Sequence, residues 1–292
     1  MERELFRQIK HLSIIALFSD NDLLDKLVLK GGTALEFYDI DHRFSLDLDF
    51  SVDNEFEQDL GTFRDKIANL LNDSFKEAGY IVFDVKLRER PQRVSSDMLD
   101  FWGGYLIEFK VIEVVKYFKL SDNIDSLRRN ATVIGPKNKR TFRIEISKYE
   151  YCEQKQVNEL SGYTFYIYPP SMLICEKLRA ICQQTLEYGQ IVRSSSQTAR
   201  ARDFYDIYLL MERYQINLIS DENIDLLKKI FGAKRVPLSL IAKIQDYRGF
   251  HRQDFLAVRG TVGANIYLHN FDFYFDYILN QCEGILNTLR IV

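Results

Sequence analysis

Apolar side chains recur at helical spacing over residues 1–20, where Leu5, Ile9, Leu12 and Ala16 share one face, so the chain opens with a predicted amphipathic helix. A short apolar run, Leu27-Val28-Leu29, then stops at Gly31-Gly32, and Thr33 is placed to cap a short helix over Ala34 to Tyr38. From Ser45 to Val52 polar and apolar residues alternate, which predicts a strand. Residues 55–78 read as a helix. Tyr80–Leu87, Tyr105–Val115 and Thr141–Ser147 read as strands, with a polar loop over 88–103. The pattern then changes. Pro169-Pro170-Ser171 is a helix-start signal, followed by a helix from Met172 to about Tyr188. Ile191–Thr198, with three consecutive serines, reads as a loop, and a helix follows from about Ala199 to Tyr214. Three or four more helices fill 221–290. The expectation is an α+β fold: a mixed α/β domain over 1–165 and a helical domain over 166–292.

Composition narrows the class. The net charge of -3 is near neutral, which excludes a uniformly basic nucleic-acid binder but not a local basic patch. Cys152, Cys175, Cys182 and Cys282 are scattered without a CxxC pair, as expected of reduced thiols rather than a disulfide framework. No apolar run approaches the roughly 18 residues of a membrane helix. Met1-Glu2-Arg3-Glu4 lacks the apolar core of a targeting segment. These features point to a cytoplasmic protein without membrane association.

Two short stretches carry candidate chemistry. Lys30-Gly31-Gly32-Thr33-Ala34-Leu35 is followed by Arg43-Phe44-Ser45-Leu46-Asp47-Leu48-Asp49-Phe50. On a strand, Asp47 and Asp49 point to one face while Leu46, Leu48 and Phe50 point to the other. Two adjacent carboxylates repel unless a cation lies between them, and hard oxygen donors suit Mg²⁺, with Mn²⁺ as a substitute. The glycine pair lets backbone approach a ligand closely, and amides at a helix start favour an anion such as a triphosphate. Each stretch alone has an ordinary explanation, a turn or a pair of solvated acids.

Taken together, in this order and spacing, the two stretches resemble the polymerase-β-like nucleotidyltransferases. The closer likeness is to the AbiEii-type toxins of type IV toxin–antitoxin and abortive-infection systems. That resemblance implies a polymerase-β-like core with a short mixed sheet flanked by helices, and a helical C-terminal domain. It also implies Asp47 and Asp49 as metal-binding catalytic residues. Phe142-Arg143-Ile144-Glu145-Ile146-Ser147 offers Glu145 as the third carboxylate; the competing reading is a surface acid paired with Arg143. Ser171 to Ala180 resembles the family's Glu-Lys-Leu-x-Ala helix and nominates Lys177; a snorkelling surface lysine is the alternative. Ala201 to Leu210 resembles an Arg-Asp-x-x-Asp motif and nominates Asp203, with Asp206 read as structural. Gly31, Gly32, Thr33, Arg43, Ser45 and Lys177 are the implied nucleotide-binding residues. Lys177 and Asp203 are expected to reach a cleft between the two halves.

The implied reaction moves an NMP from a nucleoside triphosphate to an acceptor hydroxyl, with RNA, such as a tRNA 3′ end, as the leading acceptor. A protein or small-molecule acceptor stays open. So does a nucleotide-binding protein without turnover that acts through a partner. A winged-helix antitoxin encoded nearby is the partner the resemblance implies. Residues 226–260 hold eight cations against Asp246 and Asp254, interleaved with Tyr247, Phe250, His251 and Phe255. That mixture suits looped or single-stranded RNA, although a solvated helical surface has the same composition. A second basic cluster is Lys137, Lys139, Arg140 and Arg143. His11, His42, His251 and His269 are dispersed, and no zinc or Ser-His-Asp spacing occurs.

Overall fold

Val28 and Leu29 are fully buried, as an apolar run with both faces covered must be, and Lys30 beside them is buried with Glu150 as its ion partner. They form β1 (Val28–Lys30), one of the inner strands of a seven-stranded sheet. The other strands are β2 (Leu48–Ser51), β3 (Tyr80–Glu89), β4 (Gly104–Glu113), β5 (Phe142–Ser147), β6 (Gln156–Leu160) and β7 (Tyr163–Ile167), in the spatial order β3-β4-β5-β2-β1-β7-β6. The computed structural model describes residues 2–40, 47–135, 138–192, 197–263 and 266–291. The chain divides into two compact units, Met1–Thr33 with Leu46–Ile167, and Ala34–Ser45 with Tyr168–Val292.

In the first unit, α1 (Glu2–Phe18) and α4 (Leu60–Glu77) cover one face of the sheet, with α2 (Asn21–Lys26) between them in the chain. Register decides which residues meet those helices. Leu29, Phe50, Ile146 and Tyr105 form one cross-strand row, all at most 5% exposed. Phe18 meets Phe50 edge-on at 5.8 Å, Phe6 meets Phe142 at 5.2 Å, and Phe75 meets Phe109 at 5.9 Å. Burying each such ring contributes about 2–3 kcal/mol, so this face holds the unit together. At the far edge, α5 (Val114–Leu120) and α6 (Ile124–Asn130) close a small cluster of Phe83, Ile112, Leu127 and Ala131. Asp84, at an irregularity in the β3–β4 pairing, takes Arg128 at 2.9 Å and Lys110 at 3.1 Å.

The second unit is helical: α7 (Pro170–Cys182), α8 (Ala201–Tyr214), α9 (Asp221–Ala233), α10 (Arg248–Arg252), α11 (Phe255–Thr261) and α12 (Phe271–Leu289). Phe204 of α8 stacks on Phe275 of α12 at 5.1 Å. The turn Leu35–Tyr38 belongs to this unit because the Tyr38 hydroxyl donates to Tyr168 O and the Tyr214 hydroxyl donates to Tyr38 O, each at 2.9 Å. Burial pushes the Cys175 and Cys282 thiols up to about 12, so both are unreactive neutral groups. No described helix is long and apolar enough to cross a membrane.

The α+β class matches the sequence expectation, with several differences in detail. The hairpin β6–β7 carries no alternation strong enough to predict, since Gln156, Val157, Glu159, Tyr163 and Thr164 are all exposed. α7 ends at Cys182, six residues before the expected Tyr188. Thr33 does not cap a helix over Ala34 to Tyr38: the helical turn α3 (Gly31–Ala34) begins earlier, and the Thr33 hydroxyl is committed elsewhere.

Candidate active site

Strand β1 runs antiparallel to β2, and β2 runs parallel to β5. Lys30 is the register partner of Asp49, and Asp49 is the register partner of Glu145. Leu106 follows on β4 and Arg88 on β3. Lys30, Asp49, Glu145, Leu106 and Arg88 thus form one row across five strands, on the face opposite α1 and α4. Leu48 and Phe50 are fully buried on the packed face, which fixes the direction in which Asp49 points.

Gly31 leaves β1 with φ +69°, a conformation that costs a residue with a side chain about 1 kcal/mol or more. A Cβ there would lie 3.1 Å from Cβ and Cγ of Asp49 and closer still to its Oδ2. Glycine is therefore required twice, for its backbone angle and for the space the Asp49 carboxylate takes. Asp47 stands exposed just before β2, and its backbone carbonyl accepts the Thr33 hydroxyl at 2.7 Å. That bond ties the turn after β1 to the entry of β2. Lys30 is buried and paired with Glu150 at 3.1 Å.

Glu145 is half-exposed and accepts from Arg90 at 3.2 Å. The expected partner, Arg143, instead donates to Glu108 at 2.9 Å, and Arg88 holds the other oxygen of Glu108 at 3.0 Å. Arg143 and Glu145 share a face, but the cross-strand neighbour Glu108 lies directly opposite Arg143 in the register. Arg88, Glu89, Arg90, Gln92, Leu106 and Arg143 line an open depression of about 320 Å³ beside Glu145. Among the described residues, no three acidic, histidine or cysteine side chains converge as a ready metal site. The donor chemistry of Asp47 and Asp49 suits a hard divalent cation, while Glu145 is drawn toward Arg90.

In the second unit, Lys177 is 4% exposed, so the snorkelling alternative does not hold. Its ammonium donates to Asp203 at 3.0 Å and to Asp206 at 2.8 Å. Asp203 also takes Arg200 at 3.3 Å. Nearby, the Nδ1 of buried His251 accepts the Arg200 backbone N–H at 3.1 Å. Burial, against the opposing pull of Asp203, lowers His251 to about 4, so it is neutral near pH 7.

The family model described as nucleotidyl transferase AbiEii toxin, type IV TA system, matches residues 14–256. The chain belongs to the AbiEii family. It is a nucleotidyltransferase, and membership implies a nucleotide substrate and an antitoxin partner. No curated protein matches it. Two solved structures from Helicobacter pylori resemble it at low identity. JHP933 is 18% identical, with coverage of 99% of this chain and 93% of that one and a TM-score of 0.49. A candidate nucleotidyltransferase is 17% identical, with coverage of 98% and 95% and a TM-score of 0.47.

The AbiEii match spans both motif stretches and the Lys177 and Asp203 helices. Of the expected site residues, the structure brings together Gly31, Thr33, Asp47, Asp49 and Glu145 within the first unit, and Lys177 with Asp203 within the second. Arg43, Ser45, His42 and Lys137 lie outside the described residues. Sequence reasoning missed Arg88 and Arg90, because 88–103 reads only as a polar loop. Asp206, read as structural, shares Lys177 with Asp203. The basic stretch over 226–260 is tempered by acids from elsewhere in the chain. Lys229 pairs with Asp225, Arg252 with Asp272, and Arg248 with both Asp272 and Asp276. His251 and Phe255 are buried, so they offer no stacking surface.

Proposed function

We propose that this nucleotidyltransferase transfers an NMP from a nucleoside triphosphate to a hydroxyl of an RNA acceptor, such as a tRNA 3′ end, and acts in this way as the toxin of its pair. The observation that carries the reading is the register row in which Asp49 lies between the Gly31 turn and Glu145. Asp47 and Asp49 would hold Mg²⁺ or Mn²⁺, with Glu145 as a further oxygen donor. Bound there, the cation would neutralise charge on the phosphates. Gly31 and Gly32 leave room for the triphosphate to approach the backbone, and Thr33 holds the Asp47 end of β2 in place. Arg43 and Ser45, between these stretches in the chain, would add phosphate contacts. The acceptor oxygen forms a bond to the α-phosphorus as the bond from that phosphorus to the bridging oxygen breaks. Pyrophosphate leaves, and the hydroxyl proton passes to the Glu145 carboxylate.

Incubation with Mg²⁺, each α-labelled triphosphate and total RNA tests this. Label should move to RNA, and Asp47→Asn and Asp49→Asn should abolish the transfer. Triphosphate binding with no label on RNA, protein or small hydroxyl acceptors would overturn it. A winged-helix partner that copurifies and suppresses transfer is the expected antitoxin; a neighbouring partner of another fold would overturn that part alone.

A further inference from the structure

The reading above leaves Glu145 engaged by Arg90, and the depression beside it without a role. We infer that this depression receives a backbone phosphate of the acceptor strand, and that Arg90 is a positioning residue that exchanges Glu145 for that phosphate. The inference rests on Glu145 serving the acceptor side of the proposed reaction.

Direction comes from the register. The Gly31 turn borders Asp49 on one side, and Glu145, Leu106 and Arg88 follow on the other. A ligand in the depression therefore meets Glu145 from the side away from the glycine turn, where an acceptor rather than the triphosphate belongs. Chemistry comes from exposure. The side chains of Arg88, Arg90 and Arg143 are 48%, 62% and 45% exposed, while Glu108 beneath two of them is 13% exposed. Glu108 thus orients two guanidinium groups from below and leaves cations at the surface. Glu89, also on the wall, is turned to Lys148 at 3.1 Å. A guanidinium fork matches a phosphate bidentately, and its exposed pairing with Glu145 is weak enough to be traded. Trading it frees the Glu145 carboxylate to take the acceptor proton only when an acceptor is seated. Leu106, 2% exposed, forms the apolar floor beneath them.

The test compares Arg90→Ala, Arg90→Lys, Arg88→Ala and Arg143→Ala with the parent protein. In the first measurement, anisotropy of a short fluorescein-labelled oligoribonucleotide is followed against salt. Each alanine variant should weaken binding and lower the salt slope by about 0.7, the value for one phosphate contact on a single strand. The second measures transfer to that oligonucleotide and to glycerol, which carries hydroxyls but no phosphate. Arg90→Ala should raise KM for the oligonucleotide about tenfold, the size of one lost charge-assisted contact, while kcat on glycerol rises because Glu145 is already free of Arg90. Arg90→Lys should recover part of the loss. Equal losses on both acceptors, or unchanged affinity and slope in all three alanine variants, would overturn the inference. If the parent transfers label to nothing, the reaction proposed above fails, and the salt slopes still decide the phosphate site separately.

Discussion

The carboxylate of Asp49 fills the space that a side chain on Gly31 would need. A methyl group at Gly31 must therefore displace Asp49 or bend the turn, besides adopting a positive φ. Gly31→Ala should cost about 1–3 kcal/mol of stability, the range for such backbone strain. It should also abolish nucleotidyl transfer in the fraction that stays folded. Urea titration alongside a transfer assay measures both. Full activity at parental stability would show that the turn is not coupled to Asp49.

Thr33 and Asp47 are coupled in another way, through one hydrogen bond at 2.7 Å. Thr33→Val keeps the shape and removes the donor, so it should cost about 1 kcal/mol, the usual net value of such a bond. Transfer should fall more than stability does, because the entry to β2 is no longer tied to the turn. Thr33→Ser restores the hydroxyl and should restore both. Equal behaviour of Val and Ser would remove the coupling.

The Lys177 ammonium bridges two buried acids of the same helix, Asp203 and Asp206. Lys177→Met should destabilise the protein by about 3–5 kcal/mol, as expected when one partner of a buried ion cluster is removed. Adding Asp206→Asn to Lys177→Met should recover part of that loss, since one stranded charge disappears. Chemical denaturation of the two single variants and the double variant gives the coupling energy. Strict additivity would mean that the three groups do not act as a unit.

Acid should destabilise the chain in two separate windows. His251, folded, holds its proton only below about 4, whereas the unfolded side chain takes one near 6.5. The unfolded chain therefore binds the extra proton between those values, and stability falls as pH drops from 6.5 toward 4. Asp84 is held at about 2 by Arg128 first and by Lys110, against 3.8 when unfolded. Its contribution is complete above 3.8 and is lost as pH falls toward 2. Urea midpoints followed with pH should show His251→Asn flattening only the upper window and Asp84→Asn only the lower. A slope that either variant leaves unchanged would refute the assignment for that residue.

The parts legible in the sequence are those set by local period. Leu48 and Phe50 against Asp49, and Ile144 and Ile146 against Glu145, alternate strictly, so each acid's face follows from its neighbours. Asp203 is legible for the same reason, through its shared helical face with Ile207 and Leu210. The β6–β7 hairpin was not, because an edge with most side chains in water has no apolar alternation to read. Ion-pair partners were not legible either. Glu145 finds Arg90, 55 residues away, and Arg248 finds Asp272 and Asp276 on another helix. Sequence distance says nothing about such pairs; strand order and helix packing decide them.

Asp49 and Glu145 ride on inner strands, whereas Arg90 sits just past the end of β3. Amides of β1, β2 and β5 should open to deuterium only when the whole first unit opens, while those beyond Arg90 exchange through local fluctuation. The frame that fixes Asp49 beside Glu145 is then among the slowest parts of the unit to move. Arg90, at the strand's outer end, can change partners without disturbing it.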